Sequence, residues 1–176
     1  METSSHALYE GRVHGIWYDV GVFTNLTQDH LDFHETMENY CDAKAILFQN
    51  CGVGVYNADD PWAERLMGDA TCEKYAYAVR SQADLRAEEI ELGADHVAFT
   101  AVTKNERVKI WVGIPGEFMV YNTLDVLAAA LQLGVSLEKS AEALRRVPHV
   151  KGRVEVVPTP GREYTVLIDY AHSPDG

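Results

Sequence analysis

Three short apolar segments, separated by two helical patterns, constrain the fold of this chain more than any other feature. The apolar segments are residues 20–26, 52–57 and 75–79, and the helical patterns cover residues 35–48 and 60–67. The second helical pattern begins with an Asp-Pro pair, which supplies a cap residue and a proline suited to a first helical position. Because parallel strands need crossover connections, this order predicts a parallel α/β sheet.

The pattern changes after residue 84. Residues 90–92, 96–102 and 108–112 are rich in β-forming side chains and are joined by short polar turns, which predicts an antiparallel meander. Helical spacing then returns over residues 118–133 and 137–146. The middle of the chain therefore predicts a meander followed by two helices.

Strand patterns return at residues 154–157 and 165–168, close to the end of the chain. We therefore expect an α/β fold: a Rossmann-like, mostly parallel sheet with helices and an antiparallel β meander, plus the first strands of a second α/β domain. Polar and titratable side chains begin at the second position of the chain, and no helical pattern follows the last predicted strand. We expect both ends to be cuts.

Charge and composition exclude several classes of function. The chain has 27 acidic and 15 basic side chains, a net charge of −12, which is unsuited to general binding of a nucleic-acid backbone. No apolar run approaches the roughly 18 residues of a membrane span, and the first residues lack the pattern of a signal peptide. Three cysteines without CxxC spacing favour reduced thiols over a zinc site. We expect a cytoplasmic protein that binds neither nucleic acid nor membrane.

Titratable side chains are concentrated near the start of the chain, in and around residues 24–34, which follow the first predicted strand. Parallel sheets build their sites at the carboxyl ends of strands. Magnesium shared with a phosphate fits these side chains better than zinc, although a solvated acidic loop would have the same composition. The cluster comprises Glu2, His6, Asp29, His30, Asp32, His34 and Lys44.

Lys44 stands out because it lies near the apolar stripe of its predicted helix, between two alanines. Burying an ammonium group there would be costly. Its side chain could extend along the surface so that the charge reaches water, or it could be modified to an anionic group that binds metal. Periodicity alone leaves both alternatives open.

Seven motifs in a fixed order resemble those of the Mur ligases. The match extends from end to end of the chain, and the ordered set is far more specific than any single motif. The motifs are residues 1–8 followed by 12–13 (METSSHAL, RV), 23–34 (FTNLTQDHLDFH), 43–45 (AKA), 57–60 (NADD), 116–118 with 121–122 (GEF, YN), 152–155 (GRVE) and 169–175 (DYAHSPD).

The resemblance implies an ATP- and Mg²⁺-dependent ligase of peptidoglycan synthesis. Such an enzyme joins an amino acid to the carboxylate of a UDP-muramoyl peptide through an acyl-phosphate. Within the family, the motifs most resemble the ligases that add the third residue of the stem peptide, either diaminopimelate or lysine, to UDP-MurNAc-L-Ala-D-Glu. The implied cofactors are ATP and Mg²⁺, and the implied partners are this nucleotide-linked dipeptide and an amino acid.

The resemblance also implies roles for individual residues. Glu2, His30 and Lys44 match the family's metal-binding positions, with Lys44 carbamylated and His30 and Lys44 serving the catalytic centre. Ser4 and Arg12 match positions that contact the UDP-sugar substrate.

A second group of residues matches family positions that bind ATP. Asn122 matches an adenine contact, Arg153 a contact to the ATP phosphates and Asp169 a ribose contact. His172 lies in the same turn as Asp169. One substitution departs from the family, since Met119 stands where relatives often have a polar Asn.

A larger departure is that no GxxxxGK[ST] phosphate-binding loop occurs in the sequence. The resemblance thus predicts a central ATPase domain without this loop over residues 1–149 and the start of a C-terminal domain over residues 150–176. We expect this chain alone to be inactive and to bind ATP weakly. A missing neighbouring strand would also leave an open sheet edge, so we expect possible self-association of the truncated chain.

Three other functions remain compatible with parts of the sequence. A folylpolyglutamate synthetase-like ligase would share ATP, magnesium and the modified lysine. A non-catalytic interaction module would explain the incomplete domain. A metal-dependent phosphohydrolase would account for residues 24–34 but leave the motifs at 116–122 and 152–175 unexplained.

Overall fold

The computed structural model describes residues 1–147 and 151–171. Its main sheet has six strands that lie side by side in the order of the sequence. The first four strands run parallel to one another, and the last two continue the sheet in an antiparallel arrangement. The strands are β1 (Tyr18–Phe23), β2 (Cys51–Asn57), β3 (Glu73–Ala78), β4 (Leu85–Leu92), β5 (Val97–Val102) and β6 (Arg107–Val112).

Six α-helices accompany these strands in the described residues, and most of them are short. They are α1 (Ser5–Tyr9), α2 (Leu31–His34), α3 (Met37–Ala45), α4 (Ala63–Leu66), α5 (Glu117–Gln132) and α6 (Leu137–Leu144). A 3₁₀ turn, Ile46–Gln49, extends α3 towards β2. In the described part of the chain, no helix is long and apolar enough to cross a membrane.

Two hydrophobic clusters form the core of the sheet region. The larger contains the buried side of α5, including Val120, Leu124 and Leu127, packed with residues of β2 to β6. The smaller contains residues of α3, the 3₁₀ turn and α4, including Phe48 and Leu66. Apolar burial between helices and strands is the main stabilising contribution to such an arrangement.

A glycine in β2 allows the smaller cluster to pack closely. A Cβ atom at Gly54 would lie 2.7 Å from Phe48 Cδ1 and 2.9 Å from Cys72 Sγ. The missing side chain therefore lets the 3₁₀ turn approach the strand. Gly134, with φ +80°, ends α5 in a left-handed conformation that glycine adopts without strain.

The structure confirms the parallel first half, the meander and the two following helices. Thr36 caps α3 by accepting a hydrogen bond from the backbone N–H of Asn39 at 3.1 Å. Ser136 caps α6 in the same way, accepting from the N–H of Lys139 at 3.4 Å. Both cap residues lie within one residue of the starts of the predicted helical segments, residues 35 and 137.

Two local predictions were wrong, and one short helix was missed. The predicted helix over 35–48 is shorter, because Glu35 has φ +68° and the last turn is 3₁₀. The helix predicted from Asp60 begins at Ala63, since the Asp60 carboxylate accepts the N–H of Trp62 and holds a turn before it. The short helix α1 had not been predicted, although Ser4 caps it.

The last strands form a separate two-stranded antiparallel sheet. β7 (Glu155–Val157) pairs with β8 (Val166–Ile168), as the sequence predicted for strands in this region. The side chains of β8 are exposed. The predicted domain boundary near residues 149 and 150, Pro148 and His172 all lie outside the described residues.

Candidate functional site

The turn after β2 ties together the carboxyl ends of the first strands. Asn57 donates a hydrogen bond from Nδ2 to the carbonyl oxygen of Thr24, at 3.0 Å, just after β1. The Asp60 carboxylate accepts the backbone N–H of Leu26, also at 3.0 Å. The motif at 57–60 thus fixes the beginning of the segment in which the sequence places the metal-binding residues.

Asp59 connects the same turn to the end of β3 and to α5. Its carboxylate accepts the backbone N–H groups of Val79, Arg80 and Ser81 at 2.7, 2.9 and 2.8 Å. The hydroxyl of Tyr121 donates to Asp59 Oδ2 at 3.1 Å. Burial would raise the pKa of Asp59, but hydrogen bonds from the Ser81 side chain and from the three backbone N–H groups outweigh burial and lower it.

Helix α1 packs against α3 and brings the start of the chain to the same region. Ser4 caps α1, with Oγ accepting the N–H of Ala7 at 3.1 Å. The next residue, Ser5, is buried, and its Oγ shares a 2.9 Å hydrogen bond with Nε2 of buried His34. This bond joins α1 to α2 across 29 residues of sequence.

Three histidines of the predicted cluster come together. The His6 ring lies 4.9 Å from the His30 ring and 5.3 Å from the His34 ring, measured between centroids. His30 has φ +53° and is exposed, and its Nε2 lies 3.4 Å from an oxygen of Asp29. Burial lowers the pKa of His34, and the charges of His6 and His30 lower it further.

Lys44 lies over an aromatic ring and under the influence of two carboxylates. Its Nζ is 5.1 Å from the centroid of the Tyr40 ring. Burial lowers the pKa of Lys44, while the charges of Asp29 and Glu2 act in the opposite direction. Its side chain lines a small cavity of about 60 Å³ together with Asn25 and residues of β1. Lys44 is therefore partly buried and close to the predicted metal-binding region.

Glu2 would offer a carboxylate oxygen and His30 an imidazole nitrogen to a divalent ion, whereas Lys44 would offer a donor only after it acquired an oxygen-bearing group. Within residues 1–147 and 151–171, no three His, Cys, Asp or Glu side chains are grouped as a metal site. The modified Lys44 would then complete a metal site together with the Glu2 carboxylate and the His30 imidazole. Two of these three donors would be carboxylate or carbamate oxygens, the type of ligand that Mg²⁺ prefers.

A groove of about 580 Å³ lies beside α1, α2 and α3. It is lined by Tyr9, His34, Glu35 and Asn39, among others.

Arg12, the predicted anion contact, is exposed and forms an ion pair with Glu10.

Asn122 and Met119 occupy the first turns of α5. Asn122 is exposed, and its Nδ2 lies 3.9 Å from Sδ of Met119, a weak contact. The backbone oxygen of Met119 accepts a hydrogen bond from Thr123 Oγ1 at 2.6 Å. Tyr121, the neighbour of Asn122, is held by Asp59, so the start of α5 has a fixed position relative to the turn after β2.

Arg153 and Asp169 lie close together beside the two-stranded sheet. Asp169 accepts the backbone N–H groups of Val154 and Ala171 at 2.7 and 2.6 Å. These hydrogen bonds lower the pKa of Asp169, and the charge of Arg153 lowers it further. The guanidinium of Arg153 lies 5.6 Å from the centroid of the Tyr170 ring. Two of the three predicted ATP contacts, Arg153 and Asp169, are thus neighbours, whereas the third, Asn122, lies on α5.

The residues that organise this region were only partly visible in the sequence. Asp59 lay within a noted motif, but its partners are 20 to 62 residues away. Tyr40 lies one helical turn before Lys44, a spacing that predicts contact on a helix. The hydrogen bond of Ser5 to His34 carried no sequence signal.

Residues 1–130 match the Mur ligase middle domain, so the chain belongs to the Mur ligase family. Among its curated relatives is the UDP-N-acetylmuramoyl-L-alanyl-D-glutamate--2,6-diaminopimelate ligase 1 of Clostridium acetobutylicum, which is 44% identical over 177 residues. The UDP-N-acetylmuramoyl-L-alanyl-D-glutamate--2,6-diaminopimelate ligase of Geobacillus thermodenitrificans is 45% identical over 184 residues. These matches cover 100% and 99% of this chain, which spans 37% of the length of each relative.

Solved structures support the same fold. A structure of a UDP-N-acetylmuramoyl-L-alanyl-D-glutamate--2,6-diaminopimelate ligase superposes with a TM-score of 0.85 at 31% identity, over 99% of this chain and 37% of the other. MurF from Acinetobacter baumannii superposes with a TM-score of 0.80 at 24% identity, over 89% of this chain and 35% of the other. The second likeness shows the fold alone.

Proposed function

We propose that this chain forms part of an ATP- and Mg²⁺-dependent amide ligase that adds the third amino acid to UDP-MurNAc-L-Ala-D-Glu in peptidoglycan synthesis. The observation that carries the proposal is the position of Lys44, partly buried and under the charges of Glu2 and Asp29. A cytoplasmic location follows from this function. The names of the relatives favour diaminopimelate over lysine as the amino acid added.

Lys44, Glu2 and His30 are the residues that would hold Mg²⁺. Carbamylation would join the Lys44 amine nitrogen to the carbon of CO₂ and release one proton, which leaves an anionic oxygen ligand. Loss of a proton from the ammonium must precede this step, and burial of Lys44 favours the neutral amine. Bound Mg²⁺ would offset the repulsion between the substrate carboxylate and the phosphates of ATP.

The remaining predicted residues would bind and orient the two substrates. Ser4 and Arg12 would contact the nucleotide-linked peptide, and the guanidinium of Arg12 suits an anionic group. Asn122 would contact adenine, Arg153 the phosphates and Asp169 the ribose. Asp169 is already held by backbone N–H groups, which fixes the direction of its carboxylate. Orienting the reacting groups in line supplies much of the rate enhancement in such reactions.

We also propose the division of the chain at about residue 149, with residues 1–149 in the central ATPase domain and 150–176 in the next domain. The separate pairing of β7 with β8 supports it. The absence of a GxxxxGK[ST] sequence removes the usual backbone donors and lysine for phosphates. We therefore expect weak ATP binding and no ligation by this chain alone.

The test is ATP-dependent phosphate release with UDP-MurNAc-L-Ala-D-Glu, supplying diaminopimelate and lysine in separate reactions. This chain is assayed beside the open reading frame extended at both ends. We expect release only by the extended protein and only with diaminopimelate. Release with a folate and glutamate instead would favour the folylpolyglutamate synthetase alternative, and inactivity of both proteins would favour the non-catalytic one.

A further inference from the structure

Tyr40 is the buried residue at which several side chains of the candidate site meet. It lies in α3 with 6% of its surface exposed. The His34 ring stacks on it, with centroids 5.1 Å apart and planes inclined by 20°. The His30 ring meets it edge-on at 6.0 Å, and Lys44 Nζ lies 5.1 Å from its centroid. One aromatic ring therefore contacts a histidine and a lysine that the proposed function assigns to metal binding.

The ring restricts a side chain that would otherwise be mobile. Lysine has four rotatable bonds, and ordering its side chain costs conformational entropy. A cation placed over the face of an aromatic ring is attracted by the ring quadrupole, which offsets part of this cost. Lys44 follows Tyr40 by four residues, so both side chains lie on one face of α3.

The Tyr40 ring is itself held by a residue of α2. His34 stacks on Tyr40 and shares a hydrogen bond with buried Ser5. Ser5 follows Ser4, the cap of α1, and α1 packs against α3. Tyr40 is thus fixed by two helices as well as by its own, and its ring cannot turn away from Lys44 without disturbing this packing.

We propose that Tyr40 is a positioning residue, whose ring holds the side chain of Lys44 in the place where it can become the metal-binding group. This inference rests on the proposed function only for what Lys44 does, not for where it is held. The contacts of Tyr40 with Lys44, His30 and His34 all involve the ring. Phenylalanine at position 40 should therefore preserve the positioning of Lys44, whereas an aliphatic side chain should not.

Two readouts on the 176-residue chain test the inference without any assay of ligation. The first is the carbamate signal in ¹³C NMR spectra recorded with ¹³C-bicarbonate, assigned by its loss in Lys44→Ala. The second is the rate at which acetic anhydride acetylates Lys44, followed by mass spectrometry and normalised to exposed Lys139. The variants are Tyr40→Leu, Tyr40→Phe and the control Tyr56→Leu, which alters a partly buried tyrosine of the same cluster.

We expect Tyr40→Leu to raise the acetylation rate of Lys44 by about two- to fivefold, the range of a cation–π contact that no longer restricts the side chain. The carbamylated fraction should fall, because the ring no longer keeps the Lys44 side chain in its partly buried position. Tyr40→Phe and Tyr56→Leu should match the unmodified chain in both readouts. An acetylation rate in Tyr40→Leu equal to that of the unmodified chain would overturn the inference. A rate increased to the same extent in Tyr56→Leu would also overturn it, because the effect would then reflect general destabilisation.

A measurement on the unmodified chain covers the case in which Tyr40→Leu does not fold. A ring beneath Lys44 should shift the proton resonances of its ε-methylene group upfield of those of Lys139, and the absence of such a shift would contradict the contact.

The outcomes of the carbamate and acetylation measurements also separate this inference from the proposed function. A chain without any Lys44 carbamate, but with the expected change in acetylation, would argue against the modified lysine and still support positioning by Tyr40.

Discussion

Tyr121 donates a hydrogen bond to Asp59 across 62 residues of sequence, with the hydroxyl oxygen 3.1 Å from Oδ2. The bond links α5, which carries Asn122, to the turn after β2. Since Asp59 also binds three backbone N–H groups after β3, one carboxylate connects the ends of two strands and a helix. It therefore joins the predicted adenine contact to the part of the sheet that carries the predicted metal site.

Removing the Asp59 carboxylate should destabilise the chain markedly. Asp59→Ala leaves three backbone donors and the Tyr121 hydroxyl without their acceptor, and we expect a loss of at least about 2 kcal/mol in the free energy of unfolding. Tyr121→Phe removes one hydrogen bond and should cost about 1 kcal/mol. Urea unfolding measures both, with exposed Asp69→Ala as the control. Equal effects for Asp59→Ala and Asp69→Ala would contradict this role.

Glycine at position 35 should stabilise the chain. Glu35 has φ +68° and ψ −43°, a conformation that strains a residue with a Cβ atom. We expect Glu35→Gly to raise the free energy of unfolding by about 1 kcal/mol, because the strain disappears. The control is Glu38→Gly within α3, which should lower it by about as much. If both variants lose stability in urea, Glu35 is not strained in solution.

The carboxyl group of Asp125 should make stability depend on pH. Burial raises the pKa of Asp125 from 3.8 to about 7, with a hydrogen bond from the backbone N–H of Val126 acting in the opposite direction. Because the folded pKa lies above the unfolded one, the native state holds the proton between about pH 4 and 7. This contribution is complete below pH 4 and is lost as pH rises through 7, by up to about 4 kcal/mol.

Asp125→Asn isolates this effect, since an amide of similar shape does not titrate. We expect the variant to be more stable than the unmodified chain at pH 8, and the difference to shrink by pH 5. Thermal unfolding at several pH values measures it, and exposed Asp69→Asn serves as the control. A difference that stays constant from pH 5 to pH 8 would show that the Asp125 carboxyl titrates as it does in the unfolded chain.

Self-association of the chain stays a prediction, and β1 is the strand to examine. In the described residues β1 pairs with β2 on one side and lies at the edge of the sheet. An open edge can pair with a second copy, and a charged side chain there opposes such pairing. We expect light scattering to report a mass above that of one chain at high concentration, and Asp19→Lys to leave this unchanged while Val22→Lys lowers it. A single-chain mass at every concentration would refute the prediction.

The sequence alone determined the order and direction of the main elements. Periods of two and about 3.6 residues are local properties, and parallel strands require crossovers, so the arrangement of β1 to β3 followed from residues 20–79. The caps at Thr36 and Ser136 are local in the same sense, because each cap and its donor are three residues apart in the sequence.

Only the tertiary structure decided which side chains share the site. Asp59 reaches Tyr121, and Ser5 reaches His34, across separations that no local period encodes. Side-chain direction depends on how helices pack on the sheet, and packing is a property of the whole fold. The sequence therefore indicated Lys44 as unusual, and the fold placed the ring of Tyr40 beneath it.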